Sequence, residues 1–364
     1  MTKPAKTPLT IMVVTPLGKG GKGGIDRIMD GVGDELEARP RADIETRTIV
    51  TRGQGSLLAV PILTLAAIAR IAQVKLSGRP SVAHINLSSH GSVVRKLLVA
   101  RAAYALCVPY LIHLHGSRFR QYWDGLDSRR ADRLQRMFER AAKVIVLGEV
   151  WRHYVLQKAP HARVVILPNA TPAAPQTQIG ENECTRILFL GRVGKRKGVP
   201  ELLDALAILR PNPGWSAIIA GDGDVESSKA RALTLDLQGR VHFTGWVGPD
   251  QVSRLLAESD VLVLPSHDEN LPMSVIEAMA HGLGVVATPV GAVEDIIKDG
   301  VTGRLVPVGD AKRLAEVLAE LIGAPETIKV LGAQARSFHA QHLEMKLYVE
   351  RLSLIWKSAA GLKV

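Results

Sequence analysis

The chain has 364 residues, 46% of them apolar and 22% charged, and a formal net charge of +11. That length is enough for two domains with cores of their own, and that apolar share excludes a disordered chain. Its two cysteines, Cys107 and Cys184, are far apart in sequence, so a disulfide framework is not expected and a reducing cytoplasm is the simpler compartment.

The charge is uneven. Residues 1–170 carry 26 Lys and Arg against 12 Asp and Glu, and the remainder 20 against 23. The basic half suits an acidic partner. Nucleic acid fits poorly, because only 4% of residues are aromatic and no nucleic-acid-binding module is recognisable. Anionic lipid headgroups, or a lipid-linked diphosphate, fit better, with a generic solubility surface as the alternative.

The polar N-terminus, MTKPAKTPLT, runs directly into a strand and does not read as a secretory signal. Leu9 to Thr15 is that strand. A glycine loop, Gly18 to Gly24, follows, then a helical pattern at Ile28, Met29, Val32 and Leu36. Such a unit lets backbone approach a ligand closely and offers a helix start to an anion, although the spacing matches neither a P-loop nor a clean dinucleotide fingerprint. Ile44 to Val50 is the next strand. The apolar segment 57–76 is interrupted by Pro61, Arg70, Gln73 and Lys75, too short a clean run to span a membrane, and reads as a buried or interfacial helix.

Ser81 to Leu87 and Tyr110 to His115 read as strands, the second placing His113 and His115 on one face, with His115 at the carboxyl edge. The stretch 118–140 mixes arginines with Phe119, Tyr122 and Trp123, which suits either a ligand-binding loop and helix or an amphipathic surface. Strands at Lys143 to Leu147 and Val164 to Leu167 lead to Pro168-Asn169-Ala170. A Pro-, Gln- and Thr-bearing linker follows.

A second strand, turn and helix unit opens at Ile187 to Leu190, with the turn Gly191-Arg-Val-Gly-Lys-Arg-Lys-Gly198. Arg forks onto phosphate oxygens and Lys acts as a point charge, so this turn suits a diphosphate. The alternative is a solvated basic turn. Asp222-Gly-Asp224 follows the next strand and reads as turn chemistry rather than as metal ligands.

The most informative stretch is Pro265 to Thr288, PSHDENLPMSVIEAMAHGLGVVAT, which follows the strand Val261 to Leu264. It puts Glu269 in a loop and Glu277 on a helix whose first turn would hold Pro272 and whose end is Gly282. Two carboxylates there admit three chemistries: a glycosidase acid and nucleophile, a metal site, or acceptors for the hydroxyls of a sugar and a ribose. Nothing nearby completes a metal-ligand set. The tail from Phe338 to Lys357 has helical spacing at Leu343, Leu347, Leu352 and Ile355.

Glu269, seven residues, Glu277 and then Ala-Met-Ala-x-Gly resembles the signature of retaining GT-B glycosyltransferases, especially glycosyltransferase family 4. The resemblance covers nearly the whole chain, most strongly from Ile187 to Val308, and departs from the family at Asn270, where Gly is common. It implies an α/β GT-B fold, two doubly wound Rossmann-like domains facing across a cleft. It places an N-terminal acceptor domain at 1–170, a linker at 171–185, a nucleotide-sugar domain at 186–340 and a final helix, 341–364, crossing back to the first domain.

By the same resemblance Glu269 with Asn270, Leu271 and Pro272 holds the donor sugar, Glu277 the ribose, and Gly191, Arg192 and Lys197 the diphosphate. Val247 borders the base, Gly23 and Gly24 meet the acceptor or a phosphate, and His115 lies beside the donor sugar. Catalysis is implied to rest on His115, Glu269, Arg192 and Lys197, with no metal and no cofactor. The implied reaction moves a sugar from a nucleotide-sugar to an acceptor hydroxyl with an α-linkage. The acceptor is expected to be a lipid-linked glycan or an oligosaccharide in bacterial surface polysaccharide synthesis, and the enzyme to be cytoplasmic and peripheral at the inner membrane face. The alternatives are a nucleotide-sugar epimerase or a phosphorylase on the same fold, or a non-catalytic basic protein of the membrane surface or of nucleic acid.

Overall fold

The computed structural model describes residues 7–21, 23–180 and 184–362. Residues 1–6 of the polar N-terminus, Lys22 of the glycine loop and residues 181–183 of the expected linker lie outside the described residues. The chain forms two compact units, one made of Met1–Asn169 with Met345–Val364, the other of Ala170–Glu344.

In the first unit the order is β1 (Leu9–Thr15), α1 (Gly24–Ala38), β2 (Ile44–Val50), α2 (Val60–Leu76), β3 (Ser81–Leu87), α3 (Gly91–Ala105), β4 (Tyr110–Leu114), α4 (Phe119–Asp124), α5 (Ser128–Arg140), β5 (Lys143–Val146), α6 (Glu149–Lys158) and β6 (Val164–Ile166). The described strands form a parallel sheet in the order β2-β1-β3-β4-β5-β6. β1, β3 and β4 are buried along their whole length, which is why they read as continuous apolar runs rather than alternating ones. Phe119, Trp123 and Phe138 pack together against this sheet, with ring centroids 4.8–5.7 Å apart. Phe119 and Trp123 of the arginine-rich stretch are therefore core and Tyr122 is half-buried, while its arginines face out.

α2 does the reverse of an ordinary surface helix. It buries Thr64, Ala67, Ile71 and Val74 but leaves Ile62 69% and Leu65 67% exposed. No described helix is long and apolar enough to cross a membrane. Cys107 is exposed at positive φ just past α3, and both cysteines are free.

The second unit runs β7 (Thr185–Leu190), α7 (Val199–Ile208), β8 (Trp215–Ala220), α8 (Val225–Thr234), β9 (Val241–Gly245), α9 (Pro249–Ala257), β10 (Val261–Leu264), α10 (Met273–His281), β11 (Gly284–Ala287), α11 (Val293–Ile296), β12 (Arg304–Leu305), α12 (Ala311–Ile322) and α13 (Pro325–His342). Its described strands are again parallel, in the order β12-β11-β10-β7-β8-β9. The order reverses direction between β7 and β10, the kind of switch point outside whose carboxyl ends doubly wound sheets bind ligands.

The expected linker is pinned to this unit. The Thr177 amide donates to the His281 carbonyl at 2.9 Å, and Ile179 is buried. The Thr171 amide donates to the Leu343 carbonyl at 3.1 Å, so the strap that enters the unit lies against the one that leaves it.

The tail is not one helix from Phe338 to Lys357. It breaks at Leu343 and Glu344, and α14 (Met345–Ala359) belongs to the first unit, while 341–344 stay with the second. The buried face of α14 is Met345, Tyr348, Val349, Leu352 and Trp356, whereas Leu347 and Ile355 of the expected stripe are only half-buried. Its contacts include α1, and the Trp356 indole N–H donates to His84 Nδ1 at 3.1 Å inside the first unit.

Candidate active site

The second unit gathers most of the expected site residues at the carboxyl ends of β7 and β10. After β7, Gly191 and the exposed Arg192 lead into a short 3-10 turn, Lys195–Lys197, and then α7. Gly198 ends that turn at φ +71, and a Cβ there would overlap the Pro265 carbonyl. Only glycine combines that left-handed backbone with that close approach. The contact brings Lys197 beside the loop after β10. There its Nζ forms an ion pair with Glu269 Oε1, which also accepts from Ser266 Oγ at 2.9 Å. Both partners are largely buried, the side chains keeping 13% and 9% of their exposure.

A second glycine fixes the other side of the loop. Gly291, at φ +62, lies so close to the Glu269 and Asn270 carbonyls that a Cβ would overlap them, and the Ala292 amide donates to the Asn270 carbonyl at 2.7 Å. Asn270 itself is buried and is not among the residues with positive φ, so this position does not call for the glycine common in the family. Leu271 and Pro272 are buried. Pro272 is not in the first turn as expected but caps the helix from outside it, in extended conformation, where its missing N–H costs nothing. Glu277 is half-buried on α10, a helix otherwise buried almost all round. That helix ends at Gly282 with φ +77, and the Leu283 amide returns to the Ala278 carbonyl at 3.0 Å.

Val247 stands apart from this pair. It follows β9 at the sheet edge, with β8 between, and backbone hydrogen bonds link that edge to the basic turn: the Gly221 amide donates to the Gly245 carbonyl at 2.8 Å, and the Val193 amide to the Asp222 carbonyl at 2.6 Å. Asp222 and Asp224 thus serve the turn. Among the described residues no group of three or more His, Cys, Asp or Glu is placed to hold a metal. Arg196 is spent on the loop, its guanidinium donating to the Asp268 carbonyl at 2.9 Å. Sequence reasoning missed Gly198 and Gly291 as parts of the site, because each acts on a loop distant in sequence, and missed Ser266, whose hydroxyl holds Glu269 three residues on.

The first unit holds the remaining candidates. Gly23 caps α1 in extended conformation and Gly24 opens it. The Leu17 and Gly18 amides ahead of them already donate to Asp26 Oδ1, at 3.2 and 3.1 Å, and that of Gly20 to Asp30 Oδ2 at 2.9 Å. Much of the glycine loop's donor capacity is therefore used within the protein. His115 lies just past β4, one residue beyond the strand end, not within it as expected. Its Nε2–H donates to Asn86 Oδ1 at 2.9 Å, and its ring lies 3.9 Å from that of His113. Burial lowers its pKa to about 3, so the ring is neutral at ordinary pH. Behind it, His84 accepts from Trp356 on Nδ1 and so donates from Nε2 to His113 Nδ1 at 3.1 Å. The indole thereby sets the tautomer of both buried rings.

A family model described as "Glycosyl transferases group 1" matches residues 171–338, and one described as "Glycosyl transferase 4-like domain" matches 13–170. This chain belongs to the GT-B glycosyltransferases of the family 4 type. The glycosyltransferase is 28% identical over 239 residues to the amylovoran biosynthesis glycosyltransferase AmsK of Erwinia amylovora, covering 60% of this chain and 58% of that protein. It is 27% identical to the alpha-D-kanosaminyltransferase of Streptomyces kanamyceticus, covering 69% and 71%. Its fold matches that of Anabaena Alr3699/HepE, crystallised with UDP and glucose, with a TM-score of 0.75 at 18% identity over 96% of this chain and 99% of that one.

Proposed function

We propose that this glycosyltransferase moves a sugar from a nucleoside-diphosphate donor to an acceptor hydroxyl with retention, forming an α-glycosidic bond. The observation that carries the reading is the buried Lys197–Glu269 pair at the switch point between β7 and β10. A cation beside the sheet's central turn suits a diphosphate, and a fixed carboxylate next to it suits a sugar hydroxyl.

In the proposed step the bond from the anomeric carbon to the donor phosphate oxygen breaks as the bond to the acceptor oxygen forms on the same face. The departing phosphate takes the acceptor proton, so no protein base is needed. Arg192 and Lys197 meet the charge that grows on the diphosphate, the task a divalent ion performs elsewhere, and the reading therefore requires no metal. Glu269 with the 270–272 backbone holds the sugar, Glu277 the ribose, and Val247 borders the base. From the first unit, neutral His115 orients the donor sugar, and Gly23 and Gly24 meet the acceptor or a phosphate. The complexes of HepE with UDP and glucose support a nucleoside-diphosphate donor here.

The acceptor in this reading is a lipid-linked glycan, used in surface polysaccharide synthesis at the cytoplasmic face of a membrane. The basic first half and the exposed apolar face of α2 support it. A thermal-shift panel of UDP, GDP, ADP and TDP with their sugars tests the donor site, since a ligand of the native state raises its stability. One nucleotide family should raise Tm, and Glu277→Ala should abolish the rise. No shift with any of them, together with no sugar transfer, would sink the reading. The anomeric configuration of the product, read by NMR, decides between retention and inversion.

A further inference from the structure

Between α3 and α5 of the first unit lies a cavity of about 300 Å³ lined by Arg101, Arg133, Arg136 and Arg140. No acidic side chain lines it among the described residues. Arg133, Arg136 and Arg140 recur at helical spacing along the face of α5 that borders its buried Met137, which also lines the cavity. Tyr104 of α3 closes one side, its ring 4.5 Å from the Arg140 guanidinium, and the Tyr110 hydroxyl at the start of β4 is tied to the Met137 carbonyl at 2.7 Å. Four like charges around one hollow repel each other unless an anion joins them.

The place of this cavity separates it from the chemistry already described. Tyr104 and Arg140 stand in the last turns of their helices and Tyr110 opens its strand, so the cavity is at the amino end of the parallel strands. His115 is at the other end. The hollow is also continuous with apolar surface: along α3, Val94 (58% exposed) and Leu98 (49%) lead one turn at a time to Arg101 and Tyr104. α2, packed beside α3, adds the exposed Ile62 and Leu65. A free phosphate would have no use for that apolar approach, and an acidic protein surface none for a pocket of headgroup size.

We propose that this cavity binds the phosphate of an anionic phospholipid, the Val94–Leu98 stripe lying against the lipid's apolar part. Guanidinium forks suit phosphate oxygens, and basic side chains at a membrane surface each contribute to holding an anionic leaflet. The inference rests on the membrane-surface reading above and adds to it the site and the headgroup chemistry.

The test is vesicle co-sedimentation of the full chain with phosphatidylcholine alone and with phosphatidylcholine carrying phosphatidylglycerol, for the wild type, Arg133→Ala/Arg136→Ala and Leu98→Asn. All three substitutions are at exposed positions, and donor-induced thermal shifts confirm that each protein is folded. Expected is binding only to the anionic vesicles, weakened about 30-fold by the double substitution, the loss that two headgroup contacts imply, and weakened also by Leu98→Asn. Wild-type binding that the double variant retains in full would overturn the pocket while leaving the membrane reading intact. No wild-type binding to either vesicle would overturn both. Saturable binding of glycerol phosphate or inorganic phosphate without vesicle binding would make it a site for a free anion and also overturn the proposal.

Discussion

The Lys197–Glu269 pair decides how substitutions in the site should be read. Each partner neutralises a charge that is otherwise buried, so removing one leaves the other uncompensated, at a cost of about 3 kcal/mol when no water reaches it. Lys197→Ala is therefore expected to lower both turnover and stability, and a loss of activity alone would mislead. Glu269→Gln keeps a hydrogen-bonding side chain of the same shape. It should lose at least 100-fold in kcat with a smaller loss of stability, checked by urea unfolding beside donor turnover. His84 makes the second residue-scale prediction. Burial lowers its pKa from 6.5 to about 3, whereas the unfolded ring still titrates near 6.5. The unfolded state thus binds the extra proton first, and stability is complete above pH 6.5 and is lost as pH falls from there toward 3. At pH 5 the ring alone should cost ~2 kcal/mol relative to pH 7.5. His84→Phe should lessen that loss in the urea-unfolding profile, the share due to buried His113 and His115 remaining. Charge and spacing made Glu269, Glu277, Arg192 and Lys197 legible in the sequence. That Lys197 would be held by Glu269 was not, because 72 residues separate them and only the fold joins them.

β1, β3 and β10 were legible as strands because parallel strands are buried on both faces, and they fall on the expected residues, as does the more exposed edge strand β2. The last helix was misjudged for a physical reason. The expected stripe of Leu343, Leu347, Leu352 and Ile355 runs across the break at Leu343 and Glu344, and the face of α14 with Tyr348, Leu352 and Trp356, which carries the larger rings, is the one buried. Trp356 is fully buried, so Trp356→Ala should cost about 3–5 kcal/mol, measured by chemical denaturation. The turns offer a sharper test of the site. Gly198→Ala would impose both a left-handed backbone on alanine and an overlap with the Pro265 carbonyl. It should weaken donor binding by at least tenfold, whereas Gly214→Ala, at φ +80 with open space for a Cβ, should cost stability without affecting the donor.

At the scale of the whole molecule, the two units have separate tasks in the proposed reading, and hydrogen exchange can assign them. A bound nucleoside diphosphate should slow exchange at 191–198 and 266–277, while Trp356→Ala should speed it in β3 and β4. Protection of the glycine loop by the nucleotide alone would reassign the donor. Composition already separated a basic first half from a balanced second, and the two glycine-bearing strand, turn and helix units announced two sheets. The ownership of the final residues was legible only through the family resemblance, which assigned 341–364 to the first domain, and nothing in the sequence marks the start of that helix at Met345. The first unit lacks α14 until the chain has passed through all of the second, and the Trp356 partner of His84 follows every residue of the second unit. On the ribosome, chains usually complete their N-terminal domain first. Here that order is inverted: the unit synthesised second has every strand it needs before the first unit receives its closing helix. A nascent chain halted shortly after Glu344 would carry a finished second unit beside a first unit with its β3 histidine still waiting for the indole.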